Sequence, residues 1–247
     1  NVLYLSFELS DLQIGERIDA NILDTDMRNL YQGGKNSYLR KIEHAKQKKL
    51  GKLYIQSWAS GTSNINKIRH FIEELKLKRS FVPDIIYVDY LNIIEPRSKM
   101  PIYEQISKLA VELRALAFDY DLPVVTVTQV NRSGYGSADV GMDSVSQSYD
   151  VASHADFMCA LIRTDALKEL DQVLVKQLKN RYANMDTYGK FVVGLDVQKM
   201  RIYEVSQDFV TATKDKDDED DAYGLENSAF ERGLKAERDN HSKFSKY

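Results

Sequence analysis

The chain has 247 residues, of which 43% are hydrophobic and 29% charged, with a formal net charge of -3 and an isoelectric point near 5.9. That length accommodates one large α/β domain or two small ones, and the composition is that of an ordinary soluble globular protein. No global basic field announces a nucleic-acid partner, although one basic strip fits within an acidic total.

The charge balance is skewed by an acidic cluster near the C-terminus, formed by Asp215, Asp217, Asp218, Glu219, Asp220 and Asp221. The one cysteine, Cys159, rules out an internal disulfide framework and points to a reducing compartment. It lies in the apolar run Phe157 to Ile162, where a packing thiol is expected in place of a nucleophile. The four histidines are scattered without metal-ligand spacing. No apolar segment is long enough to span a bilayer, and the first residues lack the charged region and cleavage site of a signal peptide. The expectation is a cytoplasmic protein with no membrane partner.

The first element is a strand, Val2 to Leu9, with Glu8 at its end. Ser10 and Asp11 are placed to cap a following helix that carries Ile14, Ile18, Ile22 and Leu23. A basic helical pattern runs from about 38 to 49 and is closed by Gly51. A second strand, Leu53 to Gln56, leads through a loop into a helix over about 64–77, where Ile65, Ile68, Phe71, Ile72 and Leu75 recur at helical spacing. Pro83 and Asp84 then punctuate the start of a continuous apolar run, Ile85 to Val88, that ends in Asp89. Such a run reads as a strand buried on both faces. A long helix over about 102–120 follows, and Pro123 opens the strand Val124 to Thr128, with Gln129 at its end.

Alternation of strand and helix predicts a mostly parallel α/β sheet flanked by helices. Three strands end in a polar residue: Glu8, Asp89 and Gln129. Lined up on one sheet edge, they would form one polar site, because ligands of such sheets bind beyond the strands' C-terminal ends. Asp89 is the most informative of the three, since a carboxylate at a buried strand's end needs a partner or an ion. It reads either as the residue that holds a nucleotide's magnesium through water or as a cap for the next turn. The Gly-, Ser- and Asp-rich stretch 131–150 is too long for an ordinary connection and reads as a functional loop. Strands follow at Phe157 to Ile162, Leu174 to Leu178 and Phe191 to Leu195, with a short helix at 166–170 and a closing edge strand at Ile202 to Val205. Between the last two full strands, Lys179-Asn180-Arg181-Tyr182 opens a polar connection. Residues 1–208 form the expected folded domain, 209–224 an acidic flexible linker, and 225–247 a tail with a short helix.

Six stretches in this order resemble the RecA-like motor domain of DnaB-type replicative helicases, including those of T-even-like bacteriophages. They are Leu5-Ser6-Phe7-Glu8-Leu9, Ile86-Tyr87-Val88-Asp89-Tyr90-Leu91, Glu112-Leu113-Arg114-Ala115-Leu116-Ala117, Thr126-Val127-Thr128-Gln129-Val130, Ala155-Asp156-Phe157-Met158 and Lys179-Asn180-Arg181-Tyr182. The resemblance implies a RecA-like nucleotide-hydrolase core that uses ATP and Mg2+ and unwinds DNA at a replication fork as a homo-hexameric ring. Single-stranded DNA, a primase and a helicase loader would be its partners. By position, Glu8 would be the general base that orients the attacking water, Asp89 the magnesium carboxylate and Gln129 the γ-phosphate sensor. Lys179 and Arg181 would reach the nucleotide of a neighbouring subunit; without the resemblance they read as a solvated basic turn. Arg132, Ser146, Gln147 and Ser148 would contact DNA, with 98–100 as a second candidate region. Ser146 stands where many relatives have arginine.

The sequence contains no G-x-x-x-x-G-K-[ST] phosphate-binding loop. The nearest string, Gly33-Gly34-Lys35-Asn36, lacks the upstream glycine and the magnesium-binding hydroxyl. The resemblance implies that such a loop belongs just before a segment like Val2 to Glu8. The chain is therefore read as the C-terminal part of a longer helicase, inactive as an ATPase by itself. Two alternatives stay open: a RecA-like recombination or repair ATPase, and a non-catalytic fragment that joins a ring or binds a partner.

Overall fold

Leu3 and Leu5 are fully buried, and Val2–Ser6 forms β1, a central strand of a four-stranded parallel sheet. The computed structural model describes residues 1–47, 50–90, 102–129, 141, 149–184 and 189–205, all within one compact unit, Asn1–Asp208. β2 (Leu53–Ser57) and β3 (Ile85–Asp89) flank β1, and β4 (Val124–Thr126) completes the order β2-β1-β3-β4. The register sets Ser6 beside Asp89 and Val88 beside Thr126, so the C-terminal ends of β1, β3 and β4 lie together.

Sequence signals account for the helix boundaries. Helix α1 (Asp11–Ile22) opens with a capping box in which the Ser10 side chain accepts from the Gln13 amide and Gln13 reaches back to Ser10. Helix α2 (Gly34–Lys46) begins four residues before the sequence pattern suggests and ends three earlier. Gly33 takes a left-handed φ of 86° at its N-cap, a conformation cheap only for glycine, and this lets the helix start before its apolar periodicity does. Asn64 caps helix α3 (Ile65–Arg79) by accepting from the Lys67 amide. Helix α4 (Ile102–Tyr120) runs to Tyr120, and Asp121, with φ of 50°, turns the chain toward Pro123 and β4.

Helices α3 and α4 cover one face of the parallel sheet. Leu3, Leu5, Phe7, Ile86 and Val88 pack there against Ile68, Ile72, Leu75, Leu109, Leu113 and Leu116. On the opposite face, Tyr87, Val125 and Val127 remain 36%, 40% and 54% exposed. This face therefore departs from the two-sided burial usual in parallel sheets.

A short helix, α5 (Tyr149–His154), precedes a second sheet and was not anticipated from the sequence, which reads as loop to Asp150. The strands β5 (Phe157–Ile162), β6 (Gln172–Asn180), β7 (Lys190–Asp196) and β8 (Arg201–Glu204) form an antiparallel meander in that order, with helix α6 (Asp165–Glu169) between β5 and β6. β6 is longer than its apolar run suggests, so Lys179 and Asn180 are strand residues and not part of the polar connection. The β7–β8 turn is clasped to the segment after α1: Lys199 and Arg201 both donate to Asp24, and Asn21 donates to the Met200 carbonyl. The linker and tail expected at 209–247 lie outside the described residues. Among the described residues, no helix is long and apolar enough to cross a membrane.

Candidate nucleotide site and trans-acting cluster

Three parallel strands carry the first constellation. β1 ends at Ser6, two residues before Glu8, and β4 ends at Thr126, three residues before Gln129. Past the end of β1, the Phe7 amide donates to the Asp89 carbonyl at 2.8 Å, which ties the Glu8 turn to the end of β3. The Thr126 hydroxyl donates to the Val88 carbonyl at 2.8 Å and ties β4 to the same place. Glu8 and Gln129 are exposed and Asp89 is half-buried. Glu8 makes no hydrogen bond or ion pair with another described residue, so its carboxylate is free to bind a water. A cavity of about 410 Å³ opens beside it, lined by Phe7, Glu8, Ser10, Ser57, Trp58 and Ser60 among others.

Asp89 is held from the neighbouring strand. The Tyr4 hydroxyl donates to Asp89 Oδ2 at 2.8 Å, and the Tyr4 ring lies against Tyr87 with centroids 6.1 Å apart and planes 16° apart. Burial, the hydrogen bond to Asp89 and that residue's charge push the Tyr4 phenol well above its ordinary value, so it remains a donor. Among the described residues, no three acidic, histidine or cysteine side chains cluster as a protein-only metal cage. One carboxylate fits an ion such as magnesium, which keeps several waters and takes other oxygens from nucleotide phosphates.

A second constellation joins α4, α5 and the start of the antiparallel sheet. Asp156 Oδ1 accepts from Arg114 Nη1 at 2.8 Å and from Arg181 Nη1 at 2.9 Å. Arg114 also donates to the His154 carbonyl, and Arg181 Nη2 to the Ser153 carbonyl at 2.7 Å. Lys179 Nζ donates to the carbonyls of Ala152 and Ser153 at 2.6 and 3.0 Å. Three cations thus converge on the C-terminal end of α5, where helix carbonyls lack intrahelical partners. The Arg114 hydrogen bond, helped by the charges of both arginines, lowers the Asp156 carboxyl below its ordinary range. Burial and the nearby Arg181 lower the Lys179 ammonium. A register shift between Met158 and Cys159 leaves Leu178 as the extra residue of β6, directly before Lys179. Such bulges re-aim the side chains that follow them.

Residues 1–199 match the family model of the DnaB-like helicase C-terminal domain. The chain belongs to that family. It is 35% identical over 216 residues to a DnaB-like replicative helicase of Enterobacteria phage T4, covering 84% of this chain and 45% of the relative. It is 27% identical over 191 residues to a probable plasmid replicative DNA helicase of Chlamydia psittaci, covering 74% of this chain and 41% of the relative. The chain thus spans less than half the length of either. Two solved structures share the fold, each with a TM-score of 0.69 and 18% identity over 83% of this chain. One is an ATPase domain, 74% of which is covered, and the other a DnaB-like replicative helicase studied for its interactions with primase, 50% of which is covered. The parallel α/β architecture is therefore that of the RecA-like ATPase domains of DnaB-like helicases.

Within this DnaB-like domain, Asp89 ends β3, and Glu8 and Gln129 follow the adjacent ends of β1 and β4 by two and three residues. Lys179 and Arg181 form a separate cluster, and no hydrogen bond or ion pair joins either to Glu8, Asp89 or Gln129. Arg132, Ser146, Gln147 and Ser148, and the region 98–100, lie outside the described residues. Sequence reasoning missed the parts played by Tyr4, Arg114 and Asp156. Tyr4 reads as one more apolar strand residue, and only the β1–β3 register reveals its reach to Asp89. Arg114 and Asp156 fall within the stretches that carry the family resemblance, but nothing in their spacing pairs residues 42 positions apart.

Proposed function

We propose that this DnaB-like domain is the motor part of an ATP-dependent replicative DNA helicase that unwinds duplex DNA as a hexameric ring on single-stranded DNA. The observation that carries the reading is that β1, β3 and β4 end side by side on one edge of the parallel sheet, with Asp89 at the end of β3 and Glu8 and Gln129 two and three residues beyond the ends of β1 and β4. Glu8, unpaired and exposed, accepts a proton from the attacking water and orients it. Asp89 would hold magnesium through a water, and the ion would neutralise charge on the phosphate oxygens. Gln129 offers a neutral hydrogen bond to the γ-phosphate. Lys179 and Arg181 serve the nucleotide of an adjacent subunit, through the N–H donors that their bonds to α5 and Asp156 leave free. The DNA contacts are assigned to Arg132, Ser146, Gln147 and Ser148, and primase and a loader are the partners that a replicative role calls for.

Hydrolysis also needs a phosphate-binding loop, which residues 1–247 do not contain. The reading therefore places that loop on sequence outside these residues, carried by the same polypeptide or another. The exposed Tyr87, Val125 and Val127 support it, because a covering helix would complete the burial that a parallel sheet requires. The test compares ATP hydrolysis by residues 1–247 alone and by the protein with its phosphate-binding segment, each with and without oligothymidylate, alongside electron microscopy of the assembly. DNA-stimulated hydrolysis by rings that contain the segment, and none by residues 1–247 alone, is expected. Hydrolysis by the 247 residues alone would overturn the need for the segment, and filaments in place of rings would favour a recombinase.

A further inference from the structure

We infer that Tyr4 is a positioning residue for Asp89: its hydroxyl holds Oδ2 and so leaves Oδ1 as the oxygen for a metal-bound water. The inference rests on the assignment of Asp89 as the magnesium carboxylate and deepens it. Parallel pairing sets Tyr4 beside Tyr87 and Ser6 beside Asp89, so Tyr4 lies two residues before Asp89's level on the same sheet face. A tyrosine is long enough to cover that offset, and the 2.8 Å bond shows that it does. Its ring is fixed in turn by stacking on Tyr87.

Ser6 is the residue directly opposite Asp89, but its hydroxyl oxygen accepts from the Leu9 amide at 3.1 Å and shapes the Glu8 turn. Among the described residues, Tyr4 is the one side chain that hydrogen-bonds the Asp89 carboxylate. Without it, the two carboxylate oxygens would exchange by rotation about the Cβ–Cγ bond. A hydrogen bond to a charged acceptor is stronger than a neutral one and directional, which suits it to choosing between them. Groups that orient a metal's direct ligands typically alter metal affinity by about 10–100-fold when removed, and the lower end applies to Tyr4, because Asp89 acts through a water.

The bland alternative is that the bond only satisfies two half-buried polar groups. The two roles separate in a Mn2+ titration of the 247-residue protein, followed by paramagnetic broadening of the backbone amide resonances of residues 6–8 and 88–90. Tyr4→Phe keeps the ring and its stacking, and a retained thermal transition verifies the fold. The expected result is a broadening midpoint raised about tenfold or more in Tyr4→Phe, unchanged in Tyr87→Phe, and selective broadening lost in Asp89→Asn. A Tyr4→Phe midpoint within about twofold of the parent, with broadening lost in Asp89→Asn, would overturn the role of Tyr4 alone. Broadening retained in Asp89→Asn would overturn the assignment of Asp89, and the role of Tyr4 with it.

Discussion

Lys179 Nζ lies 2.6 Å from the carbonyl oxygen of Ala152, so one of the two cations assigned a trans-acting role is held in cis by the last turn of α5. Arg181 is held by the same turn through Ser153 and by the carboxylate of Asp156. These contacts use two of the five N–H donors of Arg181 and two of the three of Lys179.

Arg181→Ala is expected to lower the hydrolysis rate of the assembled, DNA-bound enzyme by about 10³-fold or more, the range found when a trans-acting arginine is removed. Nucleotide affinity should change far less. Titrating Arg181→Ala subunits into Glu8→Gln subunits checks the trans assignment. Mixed rings should regain activity at interfaces that pair an intact Glu8 with an intact Arg181, and a mixture with no recovery would count against it.

Asp156→Asn removes the charge that bridges Arg114 and Arg181. The folded-state pKa of Asp156 is depressed, chiefly by the Arg114 hydrogen bond. Its contribution to stability is therefore present above the unfolded value of about 3.9 and fades as pH falls through the lower folded value. Thermal midpoints measured from pH 7 down to about pH 2.5 should show the variant less stable than the parent at neutral pH and converging with it at the acid end. A constant gap across that range would mean that the carboxylate's charge is not what matters.

Leu116 is fully buried between α4 and the parallel sheet. Leu116→Ala should cost about 2–5 kcal/mol, from lost transfer energy and an unfilled cavity. Urea unfolding followed by circular dichroism is the check, with a lower midpoint and an unchanged slope expected.

Ser10→Ala removes the half of the α1 capping box in which the serine hydroxyl accepts from the Gln13 amide, leaves the bond from the Ser10 backbone amide to the Gln13 side chain, and should cost about 1 kcal/mol. Ser10→Asp should recover most of the loss, since aspartate also accepts from the third-residue amide and suits the helix N-terminus.

The sequence made the parallel half of this fold legible because β1, β3 and α4 each carry an unambiguous apolar pattern. Glu8, Asp89 and Gln129 stand out as candidates for the same reason: each is the polar residue that ends such a run. The second constellation was harder to read. α5 has six residues, too few to show a period, and the β6 bulge moves Lys179 out of simple alternation. The Arg114–Asp156 pair is a tertiary contact between elements with no local signal of pairing. Tyr4 was hidden by its own composition, since a tyrosine in an apolar strand reads as packing until the neighbouring strand's register is known.

The clasp between Asp24 and the β7–β8 turn joins residues 175 and 177 positions apart, whereas the β5–β8 meander joins strands next to each other in sequence. Closing a long loop costs more chain entropy than closing a short one, and local pairings form fastest. The antiparallel meander is thus suited to assemble first. Pairing of Val2 with Ile85 requires the intervening chain to close, and the clasp is suited to form late. A chain halted partway through this order would hold a finished meander beside an unpaired β1 and expose Leu3 and Leu5 to solvent. Protease cleavage during refolding should therefore fall in the first 80 or so residues well before it reaches the meander.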